Sequence, residues 1–240
     1  MTPRLLLPLA LFAALTAGCA SQRAYATSLG SLKPHKRMIV RIARGTVSAY
    51  APRIGEPSDR FTVEAFARGS SMPAAPEIRP IANGIEVLAP ALGSLIVRVP
   101  KGVDLEVVSG GGDVNVTDIS GSARVSLVSG TATMMLPAYG EASVARAGSV
   151  DVKIGAQSWP GTLRFVNAGG DIDLSIEENA AFRVHLHTDD GTIFTDFNLR
   201  GTSSGRSETI DGSVNGGAAS GIDVECRRGA IRLLRLAPQI

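Results

Sequence analysis

The sequence predicts an all-β fold, a single domain of short strands stacked as a β-solenoid in the manner of a parallel β-helix. Three observations carry this expectation. Apolar and polar residues alternate with a period of two through most of the chain, a glycine-led motif recurs about every twenty residues, and no segment beyond the N-terminus has the 3.6-residue period of an amphipathic helix. An antiparallel β-sandwich is the competing architecture, because similar alternation also builds it. The regular recurrence favours the solenoid.

Residues 1–18 have the layout of a secretory signal: Arg4, then an apolar run over residues 5–17, then the small pair Ala17-Gly18. The run is shorter than the roughly 18–20 residues a membrane-crossing helix needs, so cleavage is expected. Leu15-Thr16-Ala17-Gly18-Cys19 resembles the lipobox of bacterial lipoproteins, with Thr16 where Leu is commoner. That resemblance implies cleavage between Gly18 and Cys19 and a thioether-linked lipid, such as a palmitate-bearing group, on Cys19. An ordinary cleaved signal with an incidental Cys19 is the other reading. In a Gram-negative cell, Ala20 stands where Asp commonly retains lipoproteins at the inner membrane, so the outer membrane is expected.

Residues 19–37 are polar, with Ser, Gly, Lys and Pro and no sustained apolar period, and are expected to form a flexible tether. The folded domain is expected over residues 38–236, its first strand near Met38, with residues 237–240 as a tail. Phe61, Val63 and Ala65 alternate with Thr62 and Glu64, and Leu95, Val97 and Val99 with Ile96 and Arg98, each set reading as a strand with one buried face. Prolines 52, 57, 73, 76, 80, 90 and 100 keep strands short in this half.

Past Val103 the repeat becomes explicit. Gly112-Asp-Val-Asn-Val, Gly130-Thr-Ala-Thr-Met, Gly148-Ser-Val-Asp-Val and Gly170-Asp-Ile-Asp-Leu share one pattern, and Gly191, Gly212 and Gly229 continue it, spaced 18, 18, 22, 21, 21 and 17 residues apart from Gly112 onwards. Glycine turns the corner, and the second and fourth residues after it point into a narrow core.

The segment Val97-Arg98-Val99-Pro100-Lys101-Gly102-Val103-Asp104-Leu105-Glu106-Val107, followed by Gly112-Asp113-Val114-Asn115-Val116, resembles the β-strand-repeat family of bacterial envelope proteins often called adhesins. Gly216-Gly217, Ile222-Asp223-Val224-Glu225 and Gly229-Ala230-Ile231-Arg232-Leu233 are similar to that family's last coil, although Arg227-Arg228-Gly229-Ala230 departs from its usual Ser-Gly-Asp. The resemblance spans roughly residues 38–236 and implies a repetitive envelope scaffold without fixing a ligand.

Composition narrows the chemistry. The chain has 24 Lys and Arg against 22 Asp and Glu, and loss of Arg4 with the signal leaves it near neutral, so nucleic acid is not an expected partner. With Cys19 consumed by lipid, Cys226 has no disulfide partner, and its alternation with Ile222 and Val224 reads as a small buried residue. No cofactor is expected beyond the covalent lipid on Cys19.

Candidate catalytic carboxylates are Asp151 and Asp173, each three residues after a coil glycine and so expected face to face on adjacent coils, about 5 Å apart. There they could share a proton or a cation, although solvated carboxylates relieved by Lys153 account for the same pattern. Asp113 and Asp171 occupy equivalent positions three coils apart, too far to divide acid and base roles. His185 and His187 share one strand face, with Asp189 and Asp190 just beyond, a candidate metal pair lacking an evident third ligand. Residues 198–220, rich in Gly and Ser, lack alternation and are expected to be a mobile loop or irregular coil, a candidate recognition loop carrying Asn198, Arg200, Arg206 and Glu208, with ordinary tolerance of insertion as the other reading. Arg227, Arg228, Arg232 and Arg235 are a candidate basic patch, and Trp159 is a candidate corner anchor.

The expected function is a non-enzymatic, lipid-anchored envelope protein presenting a β scaffold to another envelope protein or polysaccharide, held to the membrane by its lipid. The alternatives are a carbohydrate-active β-helix enzyme working through Asp151, Asp173 and His185 or His187, and an accessory protein of envelope-stress sensing.

Overall fold

The computed structural model describes residues 24–67, 74–90, 93–136, 139–217 and 219–236. The signal, Gly18, the lipidation candidate Cys19 and the tail at 237–240 lie outside them. The described residues form an all-β fold of nineteen strands with mixed parallel and antiparallel pairing.

The N-terminal strands are β1 (Ala26–Ser31), β2 (Arg37–Ile42), β3 (Thr46–Tyr50), β4 (Arg60–Phe66), β5 (Glu77–Ile81), β6 (Gly84–Ala89) and β7 (Ser94–Arg98). The centre holds β8 (Asp104–Ser109), β9 (Val114–Thr117), β10 (Ala123–Leu136), β11 (Gly140–Ile154), β12 (Gly161–Asn167) and β13 (Ile172–Glu177). The C-terminal part holds β14 (Phe182–Asp190), β15 (Ile193–Thr195), β16 (Gly201–Ser204), β17 (Ser207–Val214), β18 (Ser220–Arg228) and β19 (Ile231–Leu236).

Pairing sorts these strands into two ladders. One runs β5–β6–β2–β8–β10–β11–β12–β18–β14–β17–β16, and the other β1–β4–β7–β3–β9–β10–β11–β13–β19–β15. The long strands β10 and β11 belong to both, because each passes from the first ladder to the second through a corner at Gly130 or Gly148. Here β11 carries three residues, Ala145-Arg146-Ala147, where β10 carries Val128-Ser129, and the register shifts by one to absorb the extra residue. Pairing is parallel through the middle and antiparallel at the outer hairpins. Parallel layers in the middle and antiparallel hairpins at each extremity together make a mixed all-β sheet.

Alternation explains which side of each strand is buried. In register across the first ladder run Val87, Val40, Val107, Val125, Ala142, Phe165, Val224 and Leu186, all buried. Across the second run Leu95, Val47, Val114, Ala132, Val150, Ile172 and Ile231, again all buried. Small Ala142 lies beside fully buried Phe165, so the rows interdigitate. Each buried Val or Ile contributes about 1.5–3 kcal/mol of apolar transfer before conformational entropy opposes it.

Stacking order does not follow chain order. The β2–β3 layer sits between β6–β7 and β8–β9, and the β18–β19 layer between β12–β13 and β14–β15. The β4–β7 and β14–β17 units are therefore internal excursions of the chain, and β1 is added at the outer edge of the first.

Three expectations change. The polar stretch read as tether contributes β1, whose Gly30 packs on the ring of Phe61 and which pairs with β4. Polar composition concealed it because β1 is an edge strand with little to bury. Within the stretch expected to be irregular, Gly201–Ser204 and Ser207–Val214 form the β16–β17 hairpin and Ser220 begins β18; hydrogen bonding to β14 supplies the order that alternation did not advertise. Gly212 lies within that hairpin in β17 and turns no corner.

At the remaining corners Gly45, Gly112, Gly130, Gly148, Gly170, Gly229 and Gly191 stack in one column. A Cβ on any of the last six would collide with the backbone carbonyl of the glycine before it in that order, and Gly130 also has φ of 123°. Gly130→Ala should therefore lower unfolding free energy by on the order of 3 kcal/mol or more. Gly155→Ala, where a Cβ meets nothing within 4 Å, should change it by no more than about 0.5 kcal/mol. Urea denaturation of the two variants checks the contrast.

Candidate functional site

From β5 to β17 the outward face of the first ladder carries a row of ionisable side chains interrupted only by Ile39. In register it reads Arg79, Glu86, Ile39, Glu106, Arg124, Glu141, Arg164, Asp223, His185, Asp211. Opposite charges on adjacent strands attract, and several pairs close: Arg124 Nε donates to Glu141 at 2.7 Å, and Arg164 reaches Glu225 at 2.7 Å and Asp223 at 3.6 Å. These exposed pairs contribute roughly 0.2–1 kcal/mol each, so their main effect is to disfavour a slipped register that would juxtapose like charges.

Tyr139 donates to Glu141 Oε1 at 2.6 Å beside Arg124. The Arg124 hydrogen bond holds the Glu141 carboxyl below its ordinary range, while burial, reinforced by the Glu141 hydrogen bond, pushes Tyr139 up to about 12.

His185 occupies the cation's place in the row, between Asp223 and Asp211. Its Nδ1 lies 2.7 Å from Asp211 Oδ1, and its ring stacks on His187 with centroids 6.5 Å apart and planes 10° apart. His187 contacts Thr209 Oγ1 through Nδ1 at 2.9 Å and Asp189 Oδ1 through Nε2 at 3.0 Å. The two imidazoles thus share a face as expected, but among the described residues no group of three His, Cys, Asp or Glu is placed to hold a metal ion. Two shallow grooves flank the pair, one of about 560 Å³ with Arg183, His185, Asp211 and Asp223, the other of about 270 Å³ with His187, Asp189, Glu225 and Arg227.

On the other ladder Asp151 and Asp173 are neighbours in register, as the coil spacing predicts. They are not an isolated pair. Arg232 of β19, next in the same row, donates to both oxygens of Asp173 at 2.8 and 3.1 Å and to Asp171 at 2.9 Å. The cation that bridges Asp171 and Asp173 is a guanidinium on the adjacent layer. Asp171 also accepts the Ala230 N–H at 2.9 Å, and its equivalent Asp113 accepts that of Thr131 at 3.2 Å, so the glycine-aspartate step caps the next layer's backbone. Sequence spacing missed Arg232 because its layer is reached 59 residues after Asp173 along the chain.

The residues of the expected recognition loop are not gathered into one site. Arg206 pairs with Asp190 at 2.6 Å and Glu208 accepts the Ile193 N–H at 2.7 Å, tying the hairpin down. Asn198 lines a separate groove of about 370 Å³ with Phe197, Asn215 and Arg235, and Arg200 is exposed. The four-arginine patch also divides: Arg232 and Arg235 are paired, the latter with Glu178 at 2.6 Å, while Arg227 and Arg228 are exposed. Trp159 is buried, donating from Nε1 to Gly221 O at 2.9 Å and packing on Phe182, itself edge-on to Phe197. This cluster anchors a corner.

Taken together, the arrangement offers a flat, polar, rigid surface centred on β18, β14 and β17, with hydrogen-bond groups of both signs. Asp223, Glu225 and Asp211 are the members of this surface that spacing alone did not single out.

The sequence profile of the family described as Toastrack DUF4097 matches residues 100–234. The chain belongs to that family. The Toastrack match covers β8 to β18 and most of β19, leaving β1 to β7 outside it. No curated protein matches the chain. Among solved structures, a protein from Clostridium sporogenes named for a presumed role in cell adhesion aligns over 88% of this Toastrack chain and 99% of its own, at 10% identity and a TM-score of 0.49. One from Bacteroides fragilis, named as a presumed adhesin, aligns over 88% and 96% at 10% identity and a TM-score of 0.30.

Two outcomes are expected in solution. Because Tyr139 holds its proton more tightly folded than unfolded, its contribution to stability is complete below about pH 10 and disappears as pH rises towards about 12. Tyr139→Phe should flatten that decline in alkaline urea titrations. Cys226 is buried, donates weakly to Gly170 O, and has its thiol pKa pushed up by burial. In a Cys19→Ser chain it should resist thiol reagents until denaturant unfolds the body.

Proposed function

We propose that this protein is a lipid-anchored, non-enzymatic component of the cell envelope that serves envelope-stress sensing by binding another envelope protein through a β-solenoid body. Its Toastrack membership over residues 100–234 is the observation that carries this reading, since Toastrack domains are linked to envelope-stress sensing. The lipobox-like segment ending at Cys19 supports anchoring, with the outer membrane as the expected site. The polar face around His185, Asp211 and Asp223 supplies a binding surface whose side chains are held in register by the ladder beneath them.

This reading takes over from a general adhesin-like scaffold, from which it differs in the partner. A polysaccharide-cleaving reading has less support, because Asp173 is engaged by Arg232.

A photo-crosslinker at position 185 in the full-length protein should capture a specific envelope protein in stressed cells, and Asp211→Ala with Asp223→Ala should reduce its yield at least about tenfold. Mass spectrometry identifies the adduct. Failure to recover any partner in stressed or unstressed cells overturns the binding reading, and envelope-polysaccharide turnover abolished by Asp173→Asn overturns the non-enzymatic one.

A further inference from the structure

The geometry points to the glycine corner as the membrane-facing side of the body, a ridge of arginines lying on anionic lipid headgroups beside the anchor. This deepens the reading above and rests on it for the lipid at Cys19. The corner segments carry Arg44 before Gly45, Arg146 before Gly148, and Arg227 and Arg228 before Gly229. All four are exposed, and among the described residues none forms an ion pair. On the neighbouring charge row, by contrast, Arg124 and Arg164 are paired.

The layers bearing Arg44 and Arg228 are five strand spacings apart, so the ridge is about 24 Å long at ~4.8 Å per spacing. Between the arginines the corner shows small or apolar residues, including Ala43, Gly110, Val128 and Ala147, which let a surface approach closely. The carboxylates nearest the corner have partners within the body: Asp113 on the Thr131 N–H, Asp171 on Arg232 and the Ala230 N–H, Asp189 on His187, and Asp190, the neighbour of Arg228 in register, on Arg206. A shallow groove of about 610 Å³ with Leu88, Pro90, Val108 and Val128 opens beside it, adding an apolar component.

Where the chain enters the body commits the occupant to a lipid surface. β1 runs antiparallel to β4 and β4 antiparallel to β7, which places Ala26 beside Ala65 at the end of the ladder where Gly93 leads into β7. Tyr25 N–H donates to Ala65 O at 2.9 Å, at this same corner. Cys19 precedes Tyr25 by six residues, and at no more than ~3.6 Å per residue its lipid enters a bilayer within about 22 Å of that point. A lipid with a basic patch is a two-part anchor, in which the patch sets the side presented to an anionic membrane.

The test uses the mature chain from residue 19 with Cys19→Ser, sedimented with vesicles of phosphatidylglycerol and phosphatidylethanolamine or of phosphatidylcholine alone. Binding to the anionic vesicles is expected, weakened by salt and falling about fivefold per arginine in the series R44Q, R146Q, R227Q, R228Q. A control with R53Q, R60Q, R183Q and R200Q, equal in net charge to the complete series, should bind like the parent. Equal loss in the control, equal binding to neutral vesicles, or no binding to either overturns the ridge. Mass spectrometry of Cys19 in the native protein reads the anchor separately: an unmodified Cys19 overturns the anchor, while vesicle binding decides the ridge.

Discussion

Backbone packs directly on backbone along one corner of this protein, and that contact sets the position of the layers from β2–β3 to β14–β15. From Gly112 to Gly191 the column leaves no room for a Cβ between one corner and the next, so each strand that leaves a glycine starts at the same height and phase as the strand beneath it. With phase fixed, residues two and four after the glycine are driven inward together and the intervening residues outward together. Buried polar groups complete the corners: Ser109 bonds Gly111, Asn167 donates to Gly148 O, and Thr188 donates to Gly229 O.

The outward rows inherit the same phase. Their charge alternation opposes a slip of register, and Arg232 links the β13 and β19 layers through Asp171 and Asp173. The hairpins at the extremities limit exposed edge length. Pro80 lies in β5, an edge strand where a missing N–H costs little, and β15 and β16 are short. Flat polar faces hold side chains such as His185 and Asp211 in the register of the strands beneath them, and blunted edges disfavour fibre assembly through open strand edges.

Much of this was legible in the sequence because alternation and glycine spacing are local. Val150, Ile172 and Phe165 could be placed in the core, and Asp151 beside Asp173, from pattern alone. Layer order is a non-local property that no repeat length encodes. That is why Arg232 escaped notice as the partner of Asp173, and why Asp223 and Asp211 could not be foreseen on either side of His185. β1 and the β16–β17 hairpin escaped for another reason: edge strands bury little, so their composition is that of loops, and only their hydrogen bonds distinguish them.

The displaced layers also bear on how the chain comes together. Strand β12 pairs with β11 and β18, β14 with β17 and β18, and β15 with β19. Until β18 and β19 arrive, the β14–β17 unit has no sheet hydrogen bonds to the layers that precede it, and the growing stack has a gap one strand wide. The C-terminal segment is a keystone. A chain lacking these strands stays open at this end, and their arrival closes it by insertion between two parts.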